Sequence, residues 1–182
     1  MRRSRLFLLE KAQQVFDLRP IPAAILIDLE GTLTGFDPLP SRLLTAVADF
    51  DRLAVAQGMD LQRLHYVTNA RFAGLELTGN AMGERLHRQA NKPFFEAPAQ
   101  FRGLGRGAVV IGDQYLTDGL LAWRMGYSFA LVRAADPGPR WPRVQRRLGQ
   151  ILSPLFFYED RQRVSAASRR NCASYHSTAC PI

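Results

Sequence analysis

Ala23-Ala-Ile-Leu-Ile-Asp28 is a run of five apolar residues closed by a carboxylate. A short apolar run without alternation suits a strand buried on both faces, as in a parallel sheet covered by helices. The residues that follow fit such a sheet. Ser41 is placed to cap a helix bearing Leu43, Leu44, Val47, Phe50 and Ala54 at helical spacing, with Gly58 as its stop. Leu64-His-Tyr-Val67 predicts a second strand, residues 71–89 a weaker helical stretch, and Ala108-Val-Val-Ile111 a third strand. Asp118–Met125 reads as a short helix ended by Gly126, and Ser128-Phe-Ala-Leu-Val132 as a fourth strand. A last helix, about Pro142–Leu152, carries Val144, Leu148, Ile151 and Leu152. Upstream, residues 4–16 read as an opening helix with Leu6, Leu9 and Phe16 near one face, ended by Pro20 and Pro22. Strands alternating with helices predict a three-layer, Rossmann-like α/β fold, its parallel sheet covered on both faces.

The chain has 182 residues, 47% of them hydrophobic and 22% charged. That is an ordinary globular composition with enough length for one real core. No apolar stretch approaches the ~18 residues of a membrane span. The basic start is followed by only Leu6-Phe-Leu-Leu9, short of the ~7–15 apolar residues of a signal peptide, so a cytoplasmic location is expected, membrane-peripheral at most. The net charge of +8 is unevenly placed: residues 140–182 carry eight Arg against Glu159 and Asp160. One domain over residues 1–155 and a basic, disordered tail over 156–182 are therefore expected. Such a tail allows weak contact with an anionic surface, and no specific nucleic-acid motif is present. Both cysteines, Cys172 and Cys180, lie in the tail, so no disulfide framework is expected in the body. With His176 they fall at helical spacing, but three ligands in a Ser/Ala-rich context do not make a closed metal site. Of 24 basic residues only Lys11 and Lys92 are Lys, a hint that Arg would not serve at those two positions.

In an open α/β sheet, ligands bind beyond the carboxyl ends of the strands. The polar residues of this chain gather there. The first strand ends Asp28-Leu-Glu30-Gly31-Thr32, the second Thr68-Asn69, and the third Gly112-Asp113-Gln114, with Thr117 and Asp118 following. Asn91-Lys92-Pro93 stands between. Asp28 and Asp113 would repel one another at one mouth unless a cation sat between them, and hard oxygen ligands suit Mg²⁺. A carboxylate beside Mg²⁺ and a Lys can attack a phosphoryl group and form an aspartyl-phosphate. Glu30 is placed for general acid and base work, while Thr68 and Lys92 would hold the transferring oxygens. Gly103-Leu-Gly105-Arg-Gly107 precedes a strand, so it is not a dinucleotide loop, which must follow one.

Asp28-Leu-Glu-Gly-Thr-Leu33, Thr68-Asn69, Lys92-Pro93 and Gly112-Asp-Gln-Tyr-Leu-Thr-Asp118 resemble, in order, the four motifs of the haloacid dehalogenase (HAD) superfamily. Lys92-Pro93 followed by Gly-Asp-Gln-x-x-Thr-Asp is most similar to subclass IIIA, the YqeG-like phosphatases, whose relatives include phosphatidylglycerophosphatases. The resemblance covers about residues 20–135. It implies that Asp28 is nucleophile and metal ligand, that Glu30 is the acid/base whose carbonyl meets the Mg²⁺, and that Thr68, Asn69 and Lys92 bind phosphate. It also implies that Asp113 ligates the metal and Asp118 supports it.

The family has Asp where this chain has Glu30. The longer side chain moves the carboxylate by about one bond length, and a misplacement of ~1 Å can cost ~100-fold in rate. No cap domain fits between Asp28 and Thr68 or between Thr68 and Lys92, so an open site for a bulky phosphorylated substrate, lipid-like or macromolecular, is expected. Two functions follow: a Mg²⁺-dependent phosphomonoester hydrolase, or a catalytically weakened phosphate-binding regulatory protein acting through its basic tail. A receiver domain needs its acidic pair first and its Lys last, whereas here Lys92 precedes Asp113 and Asp118.

Overall fold

The computed structural model describes residues 3–36, 40–68, 84–88, 91–133 and 140–160. Its centre is a seven-stranded, all-parallel sheet in the order β4-β3-β2-β5-β6-β1-β7. The strands are β1 (Ser4–Leu9), β2 (Ala24–Asp28), β3 (Leu64–Val67), β4 (Leu86–His87), β5 (Ala108–Gly112), β6 (Ser128–Val132) and β7 (Phe157–Glu159). The α-helices are α1 (Pro40–Ala56), α2 (Leu120–Met125) and α3 (Arg140–Phe156). The three-layer α/β expectation is met, and the four strands read from apolar runs are β2, β3, β5 and β6.

Every residue of β2 is buried because both faces are covered. Ile25, Ile27 and Leu29 pack with Leu43, Val47, Phe50 and Ala54 of α1 and with Val15 and Phe16. Ala24 and Leu26 share the opposite face with Val110, Phe129, Tyr115 and Leu121. Ile25 pairs with Leu64 on one side and Val109 on the other. From β2 the chain builds outward to β3 and β4, then returns to place β5 against the other edge of β2. This reversal is the topological switch, and it opens a crevice between the ends of β2 and β5.

Three elements differ from the sequence reading. Residues 4–16 are not one helix: Ser4–Leu9 is a strand between β6 and β7, followed by a 3₁₀ turn at Ala12–Asp17. A short apolar run fits either period, and here the sheet supplies two neighbours that an isolated helix would lack. The segment 71–89 lies mostly outside the described residues, and its described part holds β4, not a helix. Beyond residue 155, expected as tail, Phe157–Glu159 pairs in parallel with Ser4–Leu6 and buries Phe157.

Pro154 does not break the last helix, which continues to Phe156. A proline there cannot donate to the carbonyl of Gln150. The hydroxyl of Ser153 donates to that carbonyl instead, at 3.0 Å. Residues 161–182, with Cys172, His176 and Cys180, lie outside the described residues. Among the described residues no helix is long and apolar enough to cross a membrane.

Candidate active site

The crevice at the ends of β2 and β5 collects buried charge. Asp28 closes β2, and its Oδ1 accepts from the backbone N–H of Leu29 at 2.9 Å. Gly31 then takes φ +79°, a left-handed conformation open to glycine at little cost. A Cβ there would stand 3.0 Å from the Asp113 carboxylate, so the loop after β2 passes directly over the end of β5. Asp113 follows β5, and the chain then makes a single π-helical turn, Tyr115–Gly119, that folds Asp118 back under the strand end. A Cβ on Gly112 would lie 2.3 Å from the Asp118 carboxyl carbon, so only glycine leaves room for that return.

Lys92 enters from the loop before β5. Asn91 ahead of it holds φ +50°, a conformation that Asn tolerates better than most residues. Lys92 Nζ lies 2.6 Å from Asp28 Oδ1 and 2.8 Å from Asp118 Oδ1, and all three side chains are buried. Asp28, Asp113 and Asp118 each present a carboxylate oxygen, all within 4.8 Å of one another. Asp113 Oδ2 accepts from the Arg146 guanidinium of α3 at 2.9 Å, while its Oδ1 is buried without a protein partner.

Burial, then the neighbouring Asp118 charge, hold the Asp28 carboxyl well above its ordinary value against the opposing pull of Lys92. Burial, with help from Asp118, pushes Asp113 up to about 6 although Arg146 opposes it. Burial alone would lower Lys92, but Asp118 and Asp28 outweigh it and keep the ammonium charged. Glu30 is raised by burial, and the Thr68 hydroxyl partly offsets the effect.

Asp28, Lys92, Asp113 and Asp118, named from the sequence, therefore meet at one point. Glu30 and Thr68 are also brought together, but with each other. Thr68 Oγ1 donates to the Glu30 carboxylate, at 2.7 and 2.8 Å from its two oxygens. The hydroxyl expected to hold phosphate is thus engaged by the residue expected to serve as acid, and the Glu30 carboxylate stands outside the cluster of three aspartates. Asn69 lies outside the described residues. Arg146 was missed: on a helix rich in arginine, nothing in the spacing separates it from its neighbours.

A cavity of about 330 Å³ lies beside the crevice, walled by the loop Gly31–Phe36, with Lys11 and Arg133 among its lining. Compared with protein-family models, with curated proteins and with solved structures, the chain finds no match in any of the three.

Proposed function

We propose that the chain is a Mg²⁺-dependent phosphomonoester hydrolase of the HAD type, working through an aspartyl-phosphate on Asp28. The observation that carries this reading is the junction of Asp28, Lys92 and Asp118 at 2.6 and 2.8 Å beside Asp113, beyond the ends of adjacent parallel strands. The donor set fits a divalent cation. Three carboxylates (Asp28, Asp113, Asp118) face two cations (Lys92, Arg146), which leaves one negative charge over when all are ionised. The unpartnered Asp113 Oδ1 offers a further hard ligand in the same place. Asp28, Asp113 and Asp118 would hold the ion. Bound there, Mg²⁺ supplies the charge that keeps these carboxyls ionised and offsets charge on the transferring oxygens.

In the first step an oxygen of Asp28 attacks phosphorus, and the bond from phosphorus to the leaving oxygen breaks. Lys92 stands where a point charge would stabilise the phosphoryl oxygens. Glu30, its carboxyl raised by burial, is the acid that would pass a proton to the leaving oxygen. In the second step it accepts a proton from the water that attacks the aspartyl-phosphate, which releases phosphate and restores Asp28. The neighbouring cavity, lined by Lys11 and Arg133 together with Glu10, leaves room for a leaving group of substantial size.

The contact between Thr68 and Glu30 favours the rival reading, a phosphate-binding protein with weak turnover, because it occupies the acid and a phosphate holder together. Hydrolysis of p-nitrophenyl phosphate, with Mg²⁺ and after chelation, separates the two. Metal-dependent release of nitrophenol is expected. Phosphate binding without turnover would leave the regulatory reading standing and remove the enzymatic one.

A further inference from the structure

The apolar positions of α3 point away from the protein. Val144, Leu148, Ile151 and Leu155 repeat at intervals of four, three and four residues, which sets them on one side of a helix. They are 46, 49, 74 and 59% exposed. The opposite side holds the helix to the body. Arg146 reaches Asp113 there, and Gly149 lies so close to Tyr115 that a Cβ would fall 2.6 Å from the tyrosine's own. Single exposed apolar residues are ordinary on a protein surface, but a continuous stripe along about three helical turns is not.

Charge selects what covers it. The helix sequence Arg140–Phe156 contains four arginines and no acidic residue, and exposed Arg143 and Arg147 lie along one flank of the stripe. A second copy of the helix would bring like charges together. The segment 161–182 has four arginines and no Asp or Glu, so its sequence offers no opposite charge for the helix arginines. A surface that accepts leucine-sized side chains between cations is the boundary of an anionic bilayer. We propose that α3 is an interfacial helix that docks the protein on anionic membranes, its apolar stripe entering the acyl boundary and its arginines meeting the headgroups. This surface stands apart from the carboxylate site, and its test reads lipid partition rather than turnover.

The experiment is co-sedimentation of the full chain with vesicles of phosphatidylcholine alone or mixed with phosphatidylserine at roughly 2:1, with the oligomeric state followed in parallel. Binding to the mixed vesicles is expected to exceed that to neutral ones by more than ~10-fold and to weaken with salt. The triple variant Leu148→Gln, Ile151→Gln, Leu155→Gln should lower partition at least ~10-fold, its changes confined to exposed positions. Arg147→Gln should lower it about fivefold and leave the neutral-vesicle value unchanged. Unchanged partition in the triple variant would overturn the proposal, as would equal binding to neutral and anionic vesicles. A wild-type dimer that the triple variant converts to monomer, with vesicle binding absent from both, would assign the stripe to a second copy instead.

Discussion

Asp28 and Glu30 sit two residues apart in different surroundings. Asp28 is tied to Lys92 at 2.6 Å, whereas Glu30 is tied to Thr68 at 2.7 Å. Replacing Asp28 with Asn keeps the shape and removes the proposed nucleophile, so turnover should fall by at least ~10³-fold while the melting temperature stays near or above that of wild type. Undiminished hydrolysis by the folded variant would exclude the covalent route. Glu30 makes a finer test. Against the family pattern its extra methylene looks like a defect, but in the structure that length ends on the buried Thr68 hydroxyl. Glu30→Asp would draw the carboxylate back and leave Thr68 without this acceptor. We expect kcat to fall ~10-fold with KM little changed, and to fall less for substrates with good leaving groups. A faster Glu30→Asp variant would show that the acid is overextended in the native chain.

At the scale of elements, the π turn after β5 depends on a missing side chain. A methyl group on Gly112 would meet the Asp118 carboxyl at 2.3 Å, with a strand on one side and Lys92 on the other. Gly112→Ala is expected to destabilise the fold by about 1–3 kcal/mol, the usual range for overpacking, and to displace Asp118. Denaturant unfolding measures the first effect, and weaker metal binding the second. The edge strand β4 makes a different prediction. Only two residues long, it leans on a hydrogen bond between His65 Nδ1 and His87 Nε2 at 2.9 Å and on the buried pair of Arg85 with Asp51 at 2.6 Å. Burial first, and His65 second, lower His87 from its ordinary value to about 4. The folded protein therefore keeps His87 neutral where the unfolded chain would take up a proton. Its contribution to stability is complete above about pH 6.5 and is lost as pH falls toward about 4. Melting curves across that interval should be flatter for His87→Gln than for wild type. Equal slopes would place the acid sensitivity elsewhere.

For the whole molecule, the crevice joins residues from distant parts of the chain into one electrostatic unit, so the cation should act on global stability. Mg²⁺ that binds the folded state alone must raise its melting temperature, and Asp113→Ala should erase the shift. The sign with pH follows from Asp113, whose carboxyl is raised to about 6. Without metal, the stability from its protonated form is present below the ordinary carboxylate range and is lost as pH rises through about 6. Metal binding requires the ionised form, so the Mg²⁺-induced rise in melting temperature should be larger at pH 7 than at pH 5. A shift that is flat with pH would mean that Asp113 is not among the ligands.

Much of this architecture was legible in the chain because its signals are local. The apolar runs of β2, β3, β5 and β6 need only their own residues to announce strands buried on both faces, and Gly126, at φ +72°, stops α2 as its lack of a side chain suggests. Asp28 and Asp113 were legible for the same reason, since each stands at the end of such a run. What tertiary structure decided is contact between segments that no spacing relates. Ser4–Leu9 becomes a strand only because β6 and β7 are there to pair with it. Thr68 spends its hydroxyl on Glu30, and Arg146 reaches Asp113 from a helix thirty-three residues away. The apolar spacing of α3 announced a helix correctly but not its direction. Periodicity places residues on one face, and only the packing of Gly149 against Tyr115 determines that this face looks outward.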